Sequence, residues 1–185
     1  GAWYGGAVVT ADRNVVAVGR PQIGGQAMTY DGFSSGNMTM YVPMLFKHMW
    51  GSYDSALYVQ NIDPTNTANV TIKFYDPDGV LSCSKVDTIP KLSSLGYWLS
   101  NEACLPASWY GGAVITADRS IVAVGRPHIG GEITTYNGFA NGSTTMFVPM
   151  LFKQKWGYDS ALYIQNIDPT NDANVTIKFY DTDGI

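Results

Sequence analysis

Histidine is the usual general base, and this 185-residue chain has two, His48 and His128. The chain repeats itself, and the repeat tests both. Residues 3–8 (Trp-Tyr-Gly-Gly-Ala-Val) recur at 109–114, 18–21 (Val-Gly-Arg-Pro) at 124–127, and 42–47 (Val-Pro-Met-Leu-Phe-Lys) at 148–153. Between the copies Gln154 stands for His48 and Gln22 for His128. A catalytic group placed by the repeat would not be an amide in its twin. With no Ser-His-Asp set, zinc-ligand cluster, phosphate loop or dinucleotide fingerprint, the expectation is no enzyme and no catalytic residue.

Other residue types carry binding chemistry, each with a structural alternative. Asp76-Pro77-Asp78-Gly79 and Asp181-Thr182-Asp183-Gly184 resemble fragments of a calcium loop, but a full loop needs more oxygens and a Glu at its twelfth position. A tight turn accounts for both runs, so no cofactor is expected, with calcium as the open alternative. Arg20 and Arg126 each follow Val-Ala-Val-Gly and precede Pro. Asp54 and Asp159 are their candidate partners in structural ion pairs. Trp3, Trp50, Trp98, Trp109 and Trp156 admit two roles: packing in a core or between domains, or stacking on sugar rings. Trp50 and Trp156 follow strand ends and precede Gly, which suits domain junctions. Sequons at Asn37, Asn69, Asn141 and Asn174 are candidate glycosylation sites. Cys83 and Cys104 share one polar stretch. Closing a loop of that size with a disulfide contributes about 3 kcal/mol, and a disulfide implies an oxidising compartment.

The elements that must position these residues read as strands. Residues 69–75 alternate, with Val70, Ile72 and Phe74 on one face and Asn69, Thr71, Lys73 and Tyr75 on the other, and residues 174–180 repeat the pattern. Residues 55–61 form a further strand, with Asp63-Pro64-Thr65-Asn66 as the turn of a hairpin into 69–75. Residues 6–11 and 15–18 read as a second hairpin through Asp12-Arg13-Asn14, copied at 113–124. Residues 40–46 form a strand in which Pro43 marks an edge or a bulge. Residues 96–99 and 133–136 complete seven to eight short strands per period, with no helix.

The copies are offset by 106 residues up to Gly51 and by 105 beyond it, because Ser52 has no counterpart. That period is too long for a solenoid unit and fits one sandwich domain. Residues 81–106 occur once. Gly-rich stretches at 32–37 and 138–143 read as linkers. The expected division is 1–38 as the C-terminal half of one repeat, 39–144 as a complete repeat and 145–185 as the N-terminal half of the next. The other phase places a domain at about 1–106. The opening at Gly1, without Met or signal peptide, suggests an internal or processed segment.

The runs at 55–61 (Ser-Ala-Leu-Tyr-Val-Gln-Asn), 70–79 (Val-Thr-Ile-Lys-Phe-Tyr-Asp-Pro-Asp-Gly) and 109–118 (Trp-Tyr-Gly-Gly-Ala-Val-Ile-Thr-Ala-Asp) resemble a repeat of large secreted bacterial surface proteins. The resemblance spans nearly the whole period. It implies an all-β chain of tandem antiparallel immunoglobulin-like β-sandwich domains of about 105 residues. It brings no catalytic residue, and the Cys83/Cys104 pair is not typical of it.

Composition agrees with such a surface. Charged residues are 14% of the chain, where about a quarter is usual. Net charge is -4 with no basic cluster, which speaks against nucleic acid as a partner. No stretch approaches the roughly 20 apolar residues that span a bilayer. The expected role is a structural repeat module of an extracellular, cell-surface fibre, filament or sheath, with neighbouring repeats or a homopolymer as partner. An adhesin or carbohydrate-binding module using exposed Trp and Tyr is the alternative, with glycans as partner. An accessory domain of a secreted enzyme is a third.

Overall fold

The computed structural model describes residues 2–183. Gly1 and Ile185, at the outer limits of the segments 1–38 and 145–185, lie outside the described residues, as does Gly184 of the second Asp-x-Asp-Gly run. The described chain is all-β and antiparallel, without an α-helix. Four two-residue strands come first: β1 (Val18–Gly19), β2 (Gln22–Ile23), β3 (Gln26–Ala27) and β4 (Tyr30–Asp31). The main strands follow: β5 (Asn37–Lys47), β6 (Asp54–Asn61), β7 (Ala68–Tyr75), β8 (Leu81–Ile89) and β9 (Ser94–Trp98). A 3-10 turn at Leu99–Asn101 leads to the 21-residue β10 (Trp109–Ile129), then β11 (Glu132–Ile133) and β12 (Tyr136–Asn137).

β10 organises the fold. Its first half pairs with β5 along one edge, from Trp109↔Lys47 to Thr116↔Thr39, and with β7 along the other, from Gly112↔Tyr75 to Ala117↔Val70. Its second half pairs with β6, from Ile121↔Asn61 to His128↔Asp54. β8 adds beyond β7 and β9 beyond β6. The sheet therefore curls until its halves face each other. Val42, Leu45, Val70, Ile72, Phe74, Ala113 and Ile115 from one half share a single buried cluster with Leu57, Val59, Tyr97, Ile121 and Ala123 from the other.

Two expected hairpins are corrected. Residues 113–124 do not turn back at Asp118-Arg119-Ser120. β10 runs straight through, with a pairing irregularity between Thr116 and Ile121 as it passes from one half of the sheet to the other. The polar residues fall where the strand changes partners: Asp118 accepts from Asn69 N (2.8 Å) and Asn69 Nδ2 (2.8 Å), and Arg119 Nε approaches Asp63 Oδ2 (3.6 Å). β6 and β7 are likewise not a hairpin, since each pairs with a different half of β10. The Asp63 loop is an arch between the facing halves.

The alternation of β7 holds, with Val70, Ile72 and Phe74 fully buried. Pro43 sits at a bulge, where β5 and β10 shift register between Val42↔Ala113 and Leu45↔Gly111. The copy of β7 at 174–180 forms no strand, because no neighbour pairs with it, and residues 6–17 likewise carry none. Of the described residues before Met40 and after Gly138, only Met28 is buried.

Candidate functional site

The exposed chemistry gathers at the end of β5, where the chain makes a tight left-handed turn. His48 and Trp50 have φ of 47° and 46° and Gly51 has 83°. Positive φ is costly for side chains with a Cβ, so other contacts must hold them there. Tyr53 N donates to Met49 O (2.8 Å), Met49 N to Tyr53 O (3.0 Å), and His48 N to Asp54 Oδ1 (3.2 Å). His48 Nδ1 lies 3.1 Å from Asp54 Oδ2.

The turn thrusts Trp50 outward, 61% exposed, against Tyr53 (ring centroids 5.2 Å), Tyr110 (5.5 Å) and Phe46 (5.9 Å). Tyr163 joins from the following copy, 5.9 Å from Phe46. Burial, then the neighbouring Tyr53 and Tyr110 hydroxyls, push its phenol above the ordinary value. The turn recurs at Gln154 (φ 53°), Trp156 (54°) and Gly157 (77°), with Trp156 also exposed.

The five tryptophans separate. Trp109 is core, edge-on to Phe74 (5.8 Å) with Nε1 donating to Ser82 Oγ (3.0 Å), so it offers no face to a ligand. Trp98 sits edge-on between Tyr4 (6.5 Å) and Tyr58 (5.9 Å). Trp3, Trp50 and Trp156 are exposed, and so is Trp98 on the side its tyrosines leave open. The ring planes meet at 84° for Trp50 with Tyr53, 73° for Trp98 with Tyr58 and 40° for Trp50 with Tyr110, so they are not coplanar.

The arginine–aspartate pairs do not form. Asp54 is taken by His48, and Asp159 accepts from Gln154 N (2.9 Å). Arg126 Nε is shielded from water without a hydrogen-bond partner, and Arg20 stands exposed in the flanking copy. The reason lies in the turn: its own backbone N–H groups reach both aspartates first.

Asp76 Oδ1 accepts from Asp78 N (3.0 Å) and Val80 N (2.8 Å), and Asp181 Oδ1 from Asp183 N (2.9 Å), so both acidic runs serve their own turns. No group of three or more His, Cys, Asp or Glu able to hold a metal occurs among the described residues. Asn37 Oδ1 accepts from Thr39 N (3.3 Å), the Asn69 amide is tied to Asp118, and Asn141 and Asn174 are exposed. A sugar on Asn69 would have to displace the Asp118 bond.

Cys83 and Cys104 form a disulfide. Next to it, buried Lys47 donates to Glu102 O (2.8 Å) and Leu105 O (3.2 Å), while Lys85 Nζ meets Glu102 Oε1 at 2.8 Å. The two Lys47 bonds fasten the once-occurring segment to the repeated part, while the Lys85–Glu102 pair and the disulfide brace that segment internally. Sequence reasoning missed Lys47 because a lysine at a strand end normally reads as solvated. It missed fully buried Asn61 too, whose Nδ2 caps Ile89 O (3.0 Å) and Asn66 O (2.8 Å). Tyr136 is a third: its hydroxyl donates to Met44 O (2.8 Å) and accepts from Met44 N (2.9 Å), and burial raises its pKa.

No family model and no curated protein matches the chain. Solved structures similar to it include the Thermotoga maritima protein 1070, 17% identical, with 56% of this chain and 94% of that one covered at a TM-score of 0.46. Another is the Anabaena sensory rhodopsin transducer, 19% identical, with 50% of this chain and 97% of that one covered at a TM-score of 0.40. At these scores the likeness says nothing of what this chain binds.

Proposed function

We propose that the chain is a structural repeat module of an extracellular bacterial surface fibre, filament or sheath, in which immunoglobulin-like β-sandwich repeats of about 105 residues follow one another head-to-tail. In this reading residues 39–144 are one complete repeat, and 1–38 and 145–185 belong to its neighbours. The observation that carries the reading is the burial pattern. Val42, Leu45, Ile72 and Phe74 are fully buried, while their counterparts Val148, Leu151, Ile177 and Phe179 are exposed. One closed core thus falls on one period of the sequence. The disulfide supports an oxidising compartment, and no helix of the described residues is long and apolar enough to cross a membrane. Electron microscopy of the native material tests the proposal: a fibre with an axial repeat matching one domain is expected, and dispersed particles would overturn it.

One observation favours a second reading as an adhesin. Trp50 and Trp156 are held outward on turns of like left-handed backbone, which spends backbone strain on exposing an aromatic ring. Around Trp50, Tyr53 meets the ring edge-on and Tyr110 and Phe46 meet it tilted, at 40° and 57°, which suits packing better than a coplanar sugar platform. Glycan-array binding abolished by Trp50→Ala, with folding intact, would move this reading to the front.

A further inference from the structure

The chain contains two junctions between successive copies, and they are built alike. At the first, Gly6 lies so close to the Gln60 side chain that a Cβ on the glycine would fall 2.7 Å from the amide. At the second, Gly112 lies under Gln165, where a Cβ would fall 3.2 Å from Nε2, and Gln165 Nε2 donates to Ala113 O (3.3 Å). Gly112 is the counterpart of Gly6, and Gln165 of Gln60. The contact between copies one and two is therefore made again between copies two and three.

The flanking tyrosines correspond as well. Two residues before each glycine stands a tyrosine, Tyr4 or Tyr110, and two before each glutamine another, Tyr58 or Tyr163. Tyr4 and Tyr58 both rest on Trp98, and Tyr110 and Tyr163 line one groove. Gln60 Nε2 and Gln165 Oε1 are both closed off from water without a protein partner. An amide is costly to bury in this way, so a close-fitting neighbour must be covering it.

The two participating surfaces are different parts of one repeat. Gly112 lies in the first half of β10, between β5 and β7, beside a groove of about 660 Å³ that residues 163–172 help to line. Gln60 lies on β6, which pairs with the other half of β10. A contact between unlike patches of identical units is head-to-tail, and it propagates as an open array unless its rotation closes a ring.

A further set of bonds joins equivalent positions. Thr135 Oγ1 donates to Thr29 O (2.8 Å), Asn137 Nδ2 to Asp31 O (2.8 Å), and Asp31 N to Asn137 Oδ1 (3.1 Å). Each partner lies 106 residues from the other.

We infer that successive repeats dock through one recurring surface, the Tyr-Gly-Gly segment at the start of the long strand receiving the Tyr-x-Gln strand of the following copy. The occupant of the glycine face is the next repeat of the same polypeptide. The inference deepens the fibre reading and depends on it only for continuation of the contact along a longer array.

Cysteine pairs in the full 185-residue chain test it. Gly6→Cys with Gln60→Cys, and Gly112→Cys with Gln165→Cys, are oxidised mildly and mapped by non-reducing peptide mass spectrometry. The same maps verify that Cys83–Cys104 is retained. Val16→Cys with Gln60→Cys is the control, since Val16 is 98% exposed. Because a Cβ at each glycine would touch the glutamine side chain, cysteines at the paired positions should come within reach of one another, and both test pairs should close in roughly tenfold higher yield than the control. Gly112 also approaches Val42 O, so its variant is read only with native near-ultraviolet circular dichroism; otherwise Tyr110→Cys with Tyr163→Cys replaces it. Either junction remaining at control level overturns the shared interface. If both close but native material shows no polymer, the interface stands and the fibre reading falls. If a fibre is seen without the crosslinks, the repeats stack through other faces and the inference is lost.

Discussion

Phe74 and Phe179 stand at the same place in the same six-residue run, Val-Thr-Ile-Lys-Phe-Tyr, and end in opposite surroundings. Phe74 is 0% exposed and Phe179 is 72% exposed. Trp109 and Trp3 make the same contrast, at 4% and 78%. Other repeated features do not diverge. The left-handed turn is the same at 48–51 and 154–157. Asp63 and Asp168 each collect two backbone N–H groups, from Thr65 and Asn66 or from Thr170 and Asn171. The pairing of β1 with β4 and of β2 with β3 reproduces that of β10 with β12 and β11. Features settled within about a dozen residues of chain are thus present in every copy. Those needing a strand from farther away occur only where it is supplied.

The largest break of this symmetry should come from the core. Phe74→Ala should lower unfolding stability by about 3–5 kcal/mol, because it leaves a cavity among fully buried neighbours. Phe179→Ala should change it by less than about 0.5 kcal/mol, as exposed sites do. Urea titrations of the two variants make the comparison, and equal losses would show that 145–185 packs into the same core.

The disulfide belongs to the once-occurring segment and has no twin. Replacing Cys83 and Cys104 by Ala should cost about 3 kcal/mol for a loop of this size, read as a shift in the thermal midpoint.

Tyr136→Phe removes both bonds to Met44 and should cost about 1–2 kcal/mol. Tyr30 is its counterpart over Gly19, and Tyr30→Phe should leave the same denaturation curve within about 0.5 kcal/mol. Burial raises the Tyr136 pKa, so the native state resists its ionisation. Its contribution is complete below the unfolded tyrosine pKa of about 10 and is lost as pH rises further.

The smallest effect concerns the Asp63 and Asp168 loops, where the two copies should agree. Hydrogen bonds from the following backbone hold both carboxyls below the ordinary aspartate range, Asp168 at about 2. Each loop's stabilisation is present above the unfolded aspartate pKa of about 3.9 and is lost as pH falls through the folded value. Carboxyl-carbon NMR titrations should find both low. A normal midpoint for Asp168 alone would show that the loop depends on the closed core.

Much of the central repeat was legible in the sequence. The two-residue period of 69–75 found the buried face of β7, and Pro43, which marks an edge or a bulge in the sequence, lies at a bulge. Failures came where chemistry does not distinguish a turn from a crossing. Asp118-Arg119-Ser120 carries the residue types of a hairpin loop, yet β10 passes straight through, with Asn69 donating to Asp118 and Asp63 pairing with the charge of Arg119 from distant parts of the chain. The same limit hid the arch at Asp63, whose local turn is real but joins strands that do not pair. At the candidate site the exposed Trp50 was legible by type. The Gly6 and Gly112 seats were visible only as repeated glycines, with nothing in the sequence to say that a glutamine lies over them.

By itself, then, the sequence determined what short stretches of chain can enforce: strand periodicity, the left-handed turns, the aspartate loops and the spacing that lets Cys83 meet Cys104. Tertiary structure decided which copy of each apolar face is buried, that β10 serves both halves of the sheet, and that Lys47 and Asn61 go inside. The physical reason is that burial and strand pairing are satisfied by groups far away in the chain, and an identical local sequence cannot specify whether those groups arrive.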